Sequence, residues 1–286
     1  MKRPLIFVLI VMLLASLACS TTIIHTIKTG PTQTVTINEP ISSQNAASKV
    51  DIQMGAGTLN LAQGADGLVT GTIKYNVTQW QPKVDHPAAG EVSLSQGNYQ
   101  NLEGIPTSQI INDWQLKLNS SVPLDLSIKA GAYEAVMDLT GLHLHSLAIS
   151  DGAAKTHVTF TAPNPEKMDT FTYTTDASQV ELRGLANANF SSMTFSSGAG
   201  YYTLDFTGNL LQDTSVDINT GVSNMSIIVP NGMNVKVITQ GAISNITPHG
   251  IWTVNDSTYT ISGEGYTLTI HVNMSLGNLK LVHQGE

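Results

Sequence analysis

Three kinds of side chain in this sequence are of types that do chemistry: the lone thiol of Cys19, the carboxylates of Asp138 and Asp205, and the histidines at 143, 145 and 157. A paired carboxylate is the acid and base set of glycoside cleavage. Two imidazoles on one strand face are the start of a metal site. Asp138 and Asp205 open matching phrases, Asp138-Leu139-Thr140-Gly141 and Asp205-Phe206-Thr207-Gly208, so a repeat positions them. No Ser-His-Asp order, nucleotide-binding glycine loop or zinc spacing stands elsewhere.

The repeat is two alternating apolar residues, a turn centred on Gly-Ala, and two more alternating apolar residues. Its copies centre on Ala56, Ala132, Ala153, Ala177, Ala199, Val222 and Ala242, the last six spaced 21, 24, 22, 23 and 20 residues apart. Four residues before the centre stand Ile52, Ile128, Ile149, Tyr173, Phe195, Ile218 and Ile238; six before, the apolar series fails only at Lys236. Five after stand Leu61, Met137, Val158, Leu182, Leu204 and Ile227, and the series then fails at Thr247. Spacing of two is strand periodicity with one face buried. Such copies bury that face only by stacking, so the sequence predicts an all-β solenoid with rungs of about 22 residues. Gly55, Gly131, Gly152, Gly198, Gly221 and Gly241 are expected to supply a positive φ at each turn, with Asp176 as substitute.

On this frame Asp138 and Asp205 are three rungs apart, about 14 Å at ordinary strand spacing. Glycosidase pairs need roughly 5 to 9.5 Å. Thr159 and Arg183 occupy the line between them, and Arg183 is expected to pair with Asp205. His143 and His145 do not stack with His157, so a solvated pair is the expectation and neither metal nor cofactor is implied. Asn187 and Asn209 lie ten after their centres, with Asn189 two further on, and are expected to ladder from rung to rung. Exposed Tyr133, Tyr201 and Tyr202, with Asn187, Asn189 and Asn209, form the candidate partner-contact surface.

Cys19 has a different setting. Lys2 and Arg3 precede an apolar run from Leu5 to Leu14, and Ser16-Leu17-Ala18-Cys19 follows, which is the order of a secretory signal. The run is too short to span, since a spanning helix needs about 20 apolar residues. The four residues resemble the lipobox of bacterial lipoproteins, though Ser16 and Leu17 depart from its commonest form. That resemblance implies a diacylglyceryl thioether at Cys19 and a membrane partner reached through lipid. The net charge of −8 and the absence of a basic run argue against nucleic acid.

The expected organisation is a signal peptide at 1–18, lipidated Cys19 and a flexible tether at 19–47, an N-terminal β segment at 48–118, and the solenoid with its closing strands at 119–286. Residues 247–265 read as an insertion. The phrases Trp114-Gln115-Leu116-Lys117-Leu118-Asn119, Pro123-Leu124-Asp125-Leu126, Met137-Asp138-Leu139-Thr140-Gly141-Leu142, Ala162-Pro163-Asn164, Gly184-Leu185-Ala186-Asn187-Ala188-Asn189, Leu204-Asp205-Phe206-Thr207-Gly208 and Val229-Pro230 resemble the toast-rack family of bacterial envelope proteins, related to LiaF-type regulators. The resemblance covers roughly 48–282. It implies a stacked β architecture outside the membrane, linked to adhesion or cell-wall stress sensing, and supplies no catalytic residues. The leading reading is a non-enzymatic envelope lipoprotein whose solenoid face binds an envelope protein or a glycan. The competing reading is a carbohydrate-active β-helix enzyme. The sequence leaves the oligomeric state open.

Overall fold

The computed structural model describes residues 26–42, 47–98, 105–106 and 109–285; Cys19 and the expected signal peptide lie outside the described residues. The chain runs through β1 (Thr26–Ile27), β2 (Gln33–Glu39), β3 (Ser48–Gln63), β4 (Val69–Tyr75), β5 (Lys83–Asp85), β6 (Glu91–Ser95), β7 (Ile105–Pro106) and β8 (Asn112–Leu118). Six long strands follow: β9 (Pro123–Asp138), β10 (His143–Thr159), β11 (Thr170–Arg183), β12 (Ser192–Asp205), β13 (Thr214–Val229) and β14 (Met233–His249). The short strands β15 (Thr253–Asn255) and β16 (Thr258–Ile261) precede the long β17 (Glu264–His283). Apart from the β1–β7 pair, these strands form one 15-stranded sheet. Helical structure among the described residues is two single-turn 3-10 segments, Thr78–Trp80 and Leu185–Ala188. The fold is the expected all-β stack of rungs.

Each rung is one long strand that bends at Gly-Ala. In β9 the inward residues are Leu124, Leu126 and Ile128 before Gly131-Ala132, then Tyr133, Ala135 and Met137 after it. An unbent strand keeps one parity throughout. The one-residue change of phase lets both halves face the same core, and the return segments close it with Leu139, Phe160, Phe190 and Phe206. Each fully buried apolar side chain is worth roughly 1.5–3 kcal/mol. Aromatic rings pack both between and within rungs: Tyr173 of β11 meets Phe195 of β12 at 5.6 Å, and Phe195 meets Tyr202 of its own strand across the bend at 5.3 Å.

Parallel register follows the repeat: Ala56 faces Ala132, Ala132 faces Ala153, Ala177 faces Ala199, and Ala199 faces Val222. The glycines preceding these residues are not there for a positive φ. Of the six, only Gly241 has one, at +99°. The others form a column in which backbones touch. A Cβ on Gly131 would sit 2.5 Å from the Gly55 oxygen, and one on Gly221 would sit 2.4 Å from the Gly198 oxygen. The repeat therefore encodes close approach between rungs rather than left-handed turns.

Three boundaries differ from expectation. First, β3 is a rung, because its parallel pairing with β9 continues the stack; on its other side β6 takes its first half and β8 its second. Second, the span expected to be tether contains β2, which pairs antiparallel with β4 and buries Ile37. An edge strand needs few inward residues, so one buried isoleucine suffices where the sequence lacks a sustained period. Third, β17 inserts between β13 and β14, with Leu276 facing Val222. It is an eighth rung without the Gly-Ala phrase.

Both failures in the repeat fall in β14, the strand beyond that insertion. β14 is one residue out of phase: Val235 and Val237 point inward, Lys236 and Ile238 pair with outward Thr269 and His271, and the register shifts around Gly241 to Asn245. Ile246, not Thr247, is the apolar residue held against the core.

Candidate ligand-binding face

The residues singled out for chemistry are tied into local structure. Asp138 Oδ1 accepts the Thr140 N–H at 3.1 Å, and Asp205 Oδ1 accepts the Thr207 N–H at 2.8 Å. Both phrases thus encode the same side-chain turn at the start of a return segment. Arg183 does not reach Asp205. Its Nε donates to Glu181 Oε1 at 2.6 Å, because residues two apart on a strand share a face.

The histidines each meet a carboxylate instead of standing as a solvated pair. His143 lies 3.5 Å from Glu166, while His145 lies 3.0 Å from Asp125 and 3.3 Å from Asp169, so three rungs are joined at one ring. Its hydrogen bond to Asp125 holds the His145 pKa above the ordinary value. His157 bonds Glu181 at 2.8 Å. Among the described residues no three His, Cys, Asp or Glu side chains converge as a metal set.

Three of the six proposed contact residues are buried. Tyr133 and Tyr202 occupy inward positions of their strands, and Asn187 is buried under the return segments. Asn187 does link rungs, but through backbone: its Nδ2 donates to Phe160 O at 3.0 Å and its Oδ1 accepts the Asn209 N–H at 3.1 Å. Asn189 Nδ2 likewise donates to Asn164 O at 3.1 Å and Glu166 O at 2.8 Å. Asn189 is half-buried, and Tyr201 and Asn209 are exposed.

Inside the bend lies a polar ladder that apolar-period counting passes over. It runs through the four middle rungs, at places two before or one after the centres Ala153, Ala177, Ala199 and Val222, and holds Asp151, Thr175, Ser178, Ser197, Thr220 and Ser223. Asp151 accepts from the Tyr173 hydroxyl at 2.7 Å, from Thr175, and at longer range from Tyr133 and Ser178. Burial raises its pKa, and these donors oppose the rise. Burial also lifts the Tyr133 and Tyr173 hydroxyls above the ordinary phenol value. This network ties the bends of successive rungs together.

The outward side of the second half-rungs is different. Tyr201 faces Asn224, Asn224 faces Asn278, and Asn278 faces Asn245, one residue per rung along the stack. Beside them run Thr203, Ser226, Lys280 and Thr247 in the same register. Tyr201 is 66% exposed. Asn278 Nδ2 donates to Asn224 Oδ1 at 2.7 Å, so the amide ladder forms here, where sequence reasoning had not placed it. Its signal was present: Asn224 and Asn278 both lie two residues after their corner residues, Val222 and Leu276. The face carries an open groove of about 480 Å³.

Several solved structures resemble the chain in outline. A provisionally named cell adhesion protein from Clostridium sporogenes is 16% identical with a TM-score of 0.46, aligning 89% of this chain with 99% of that one. A provisionally named adhesin from Bacteroides fragilis is 11% identical with a TM-score of 0.38, over 90% and 100%. A provisionally named lipid binding protein from Parabacteroides distasonis is 9% identical with a TM-score of 0.34, over 89% and 99%. No curated protein matches the chain. The model of the N-terminal domain of toast_rack matches residues 28–172, which covers the inner cap strands and the first rungs up to the start of β11. On that match, and on the stacked strands that carry it, the chain belongs to the toast-rack family.

Proposed function

We propose that this protein is a non-enzymatic envelope lipoprotein, held by lipid on Cys19 at the outer face of a bacterial membrane, which binds a partner through the outward face around Tyr201. The observation that carries the reading is the contrast in side-chain use. The carboxylates that invite a catalytic role are engaged in turns or in the bend, whereas Tyr201 and the Asn224–Asn278 row present their polar groups to solvent. Adhesion and cell-wall stress sensing are both served by such a face.

Two measurements test this reading. Metabolic palmitate labelling of the full chain is expected to disappear in Cys19→Ser; label that persists removes the anchor. Binding of the full chain to isolated envelope polymers without release of reducing ends is expected. Reducing ends that vanish in Asp205→Ala would establish the carbohydrate-active enzyme instead.

A further inference from the structure

We infer that the groove along Tyr201, Asn224 and Asn278 is a subsite for an extended acidic polysaccharide, with Lys280 reading its carboxylates. The inference rests on the surface-binding reading above and adds the ligand class. Its first support is shape. The groove lies across β12, β13, β17 and β14, so its long direction is that of the stack. Partner groups recur once per rung, about every 4.8 Å. An extended pyranoside chain presents a ring at a comparable interval, so successive sugars meet successive rungs in the same way.

The second support is chemistry. An exposed tyrosine ring offers an apolar face to the C–H face of a pyranose and keeps a hydroxyl for hydrogen bonding. Asparagine amides carry both donors and acceptors, the complement of neighbouring sugar hydroxyls. The third is charge. The chain carries 21 acidic against 13 basic residues, yet no Asp or Glu lines this groove, and Lys280 and His249 do. Asp205, farther along the strand of Tyr201, is turned toward the Thr207 N–H. An acid-free groove with an ammonium on an acidic protein selects an anion over a cation, and favours an acidic glycan over a neutral one.

The test is calorimetric titration of the full chain in detergent with oligogalacturonate and, separately, with a cello-oligosaccharide of equal length. Oligogalacturonate is expected to bind at least about tenfold more tightly at low salt and to lose that margin as salt is raised. Lys280→Gln is expected to bring the two ligands level. Tyr201→Ala is expected to weaken both by about tenfold, while its unfolding midpoint stays that of the parent because the ring is exposed. Absence of oligogalacturonate binding, equal binding of the neutral chain by the parent, or binding unchanged in Tyr201→Ala overturns the inference. If the chain still binds envelope polymers when oligogalacturonate fails, the ligand class falls and surface binding stands. If both fail, the binding reading falls with it.

Discussion

The two ends of the stack are finished in opposite ways. At the first end, β3 is covered along both halves by β6 and β8, and β4 and β2 extend the layer outward. Trp114 is wholly buried there, and its indole N–H donates to Asn112 Oδ1 at 2.9 Å. At the last end, β16 covers only Val235 to Ile238 of β14. Among the described residues no strand pairs the outer side of Ile243 to His249. An open edge invites a further strand, and Pro248, which has no N–H, stands in that stretch. One end is thus buried under a second core, while the other leaves half of its last rung as an edge that carries a proline.

Removing an anchor from each end separates the two strategies. Trp114→Ala is expected to cost about 3–5 kcal/mol, the range for a large buried aromatic, read as a shift in the denaturant midpoint. Trp252→Ala, at the half-buried ring beside Tyr259 and His283, is expected to cost clearly less. Equal costs would mean that the last end is as firmly built as the first.

A residue between the ends sharpens the contrast. Burial raises the Asp151 pKa, so the folded chain resists ionising it more than the unfolded chain does. The stability from this residue is therefore complete below the unfolded value of 3.8 and is lost as pH rises through the higher folded value. Asp151→Asn cannot ionise and is expected to flatten that part of the stability-against-pH curve, measured as unfolding midpoints across acidic pH. An unchanged slope would show that the four hydroxyl donors fully offset the burial. The smallest expected effect on stability is at the open edge. Pro248→Val is expected to leave the midpoint within about 0.5 kcal/mol, as for surface changes, yet to produce concentration-dependent self-association by light scattering. A variant that stays monomeric at high concentration would show that the edge is blocked by something other than proline.

The middle of the molecule was the legible part. The residues four before and five after each centre predicted which face is buried from Ala132 to Val222, because a period of two states its own parity on either side of the bend. The rung at Leu276 was not legible, since Ser275-Leu276-Gly277 lacks the Gly-Ala phrase and its place in the stack comes from a crossover. Tyr133 and Tyr202 were misread for a related reason. Each stands next to or near the bend, where one residue of phase decides between core and solvent, and tyrosine is tolerated in both.

The sequence alone determined that the chain is a β-stack, roughly where each rung bends, and that Cys19 sits in a lipobox-like setting, because strand alternation and short linear signals are local properties. Tertiary structure decided the order of the last rungs, the reason for the glycine column, and which polar residues share a face. Those are matters of register between segments distant in sequence, as for Ala56 and Ala132 or Asn224 and Asn278. Register is set by which backbones can approach and which side chains fill the space between them, and neither is written in any single segment.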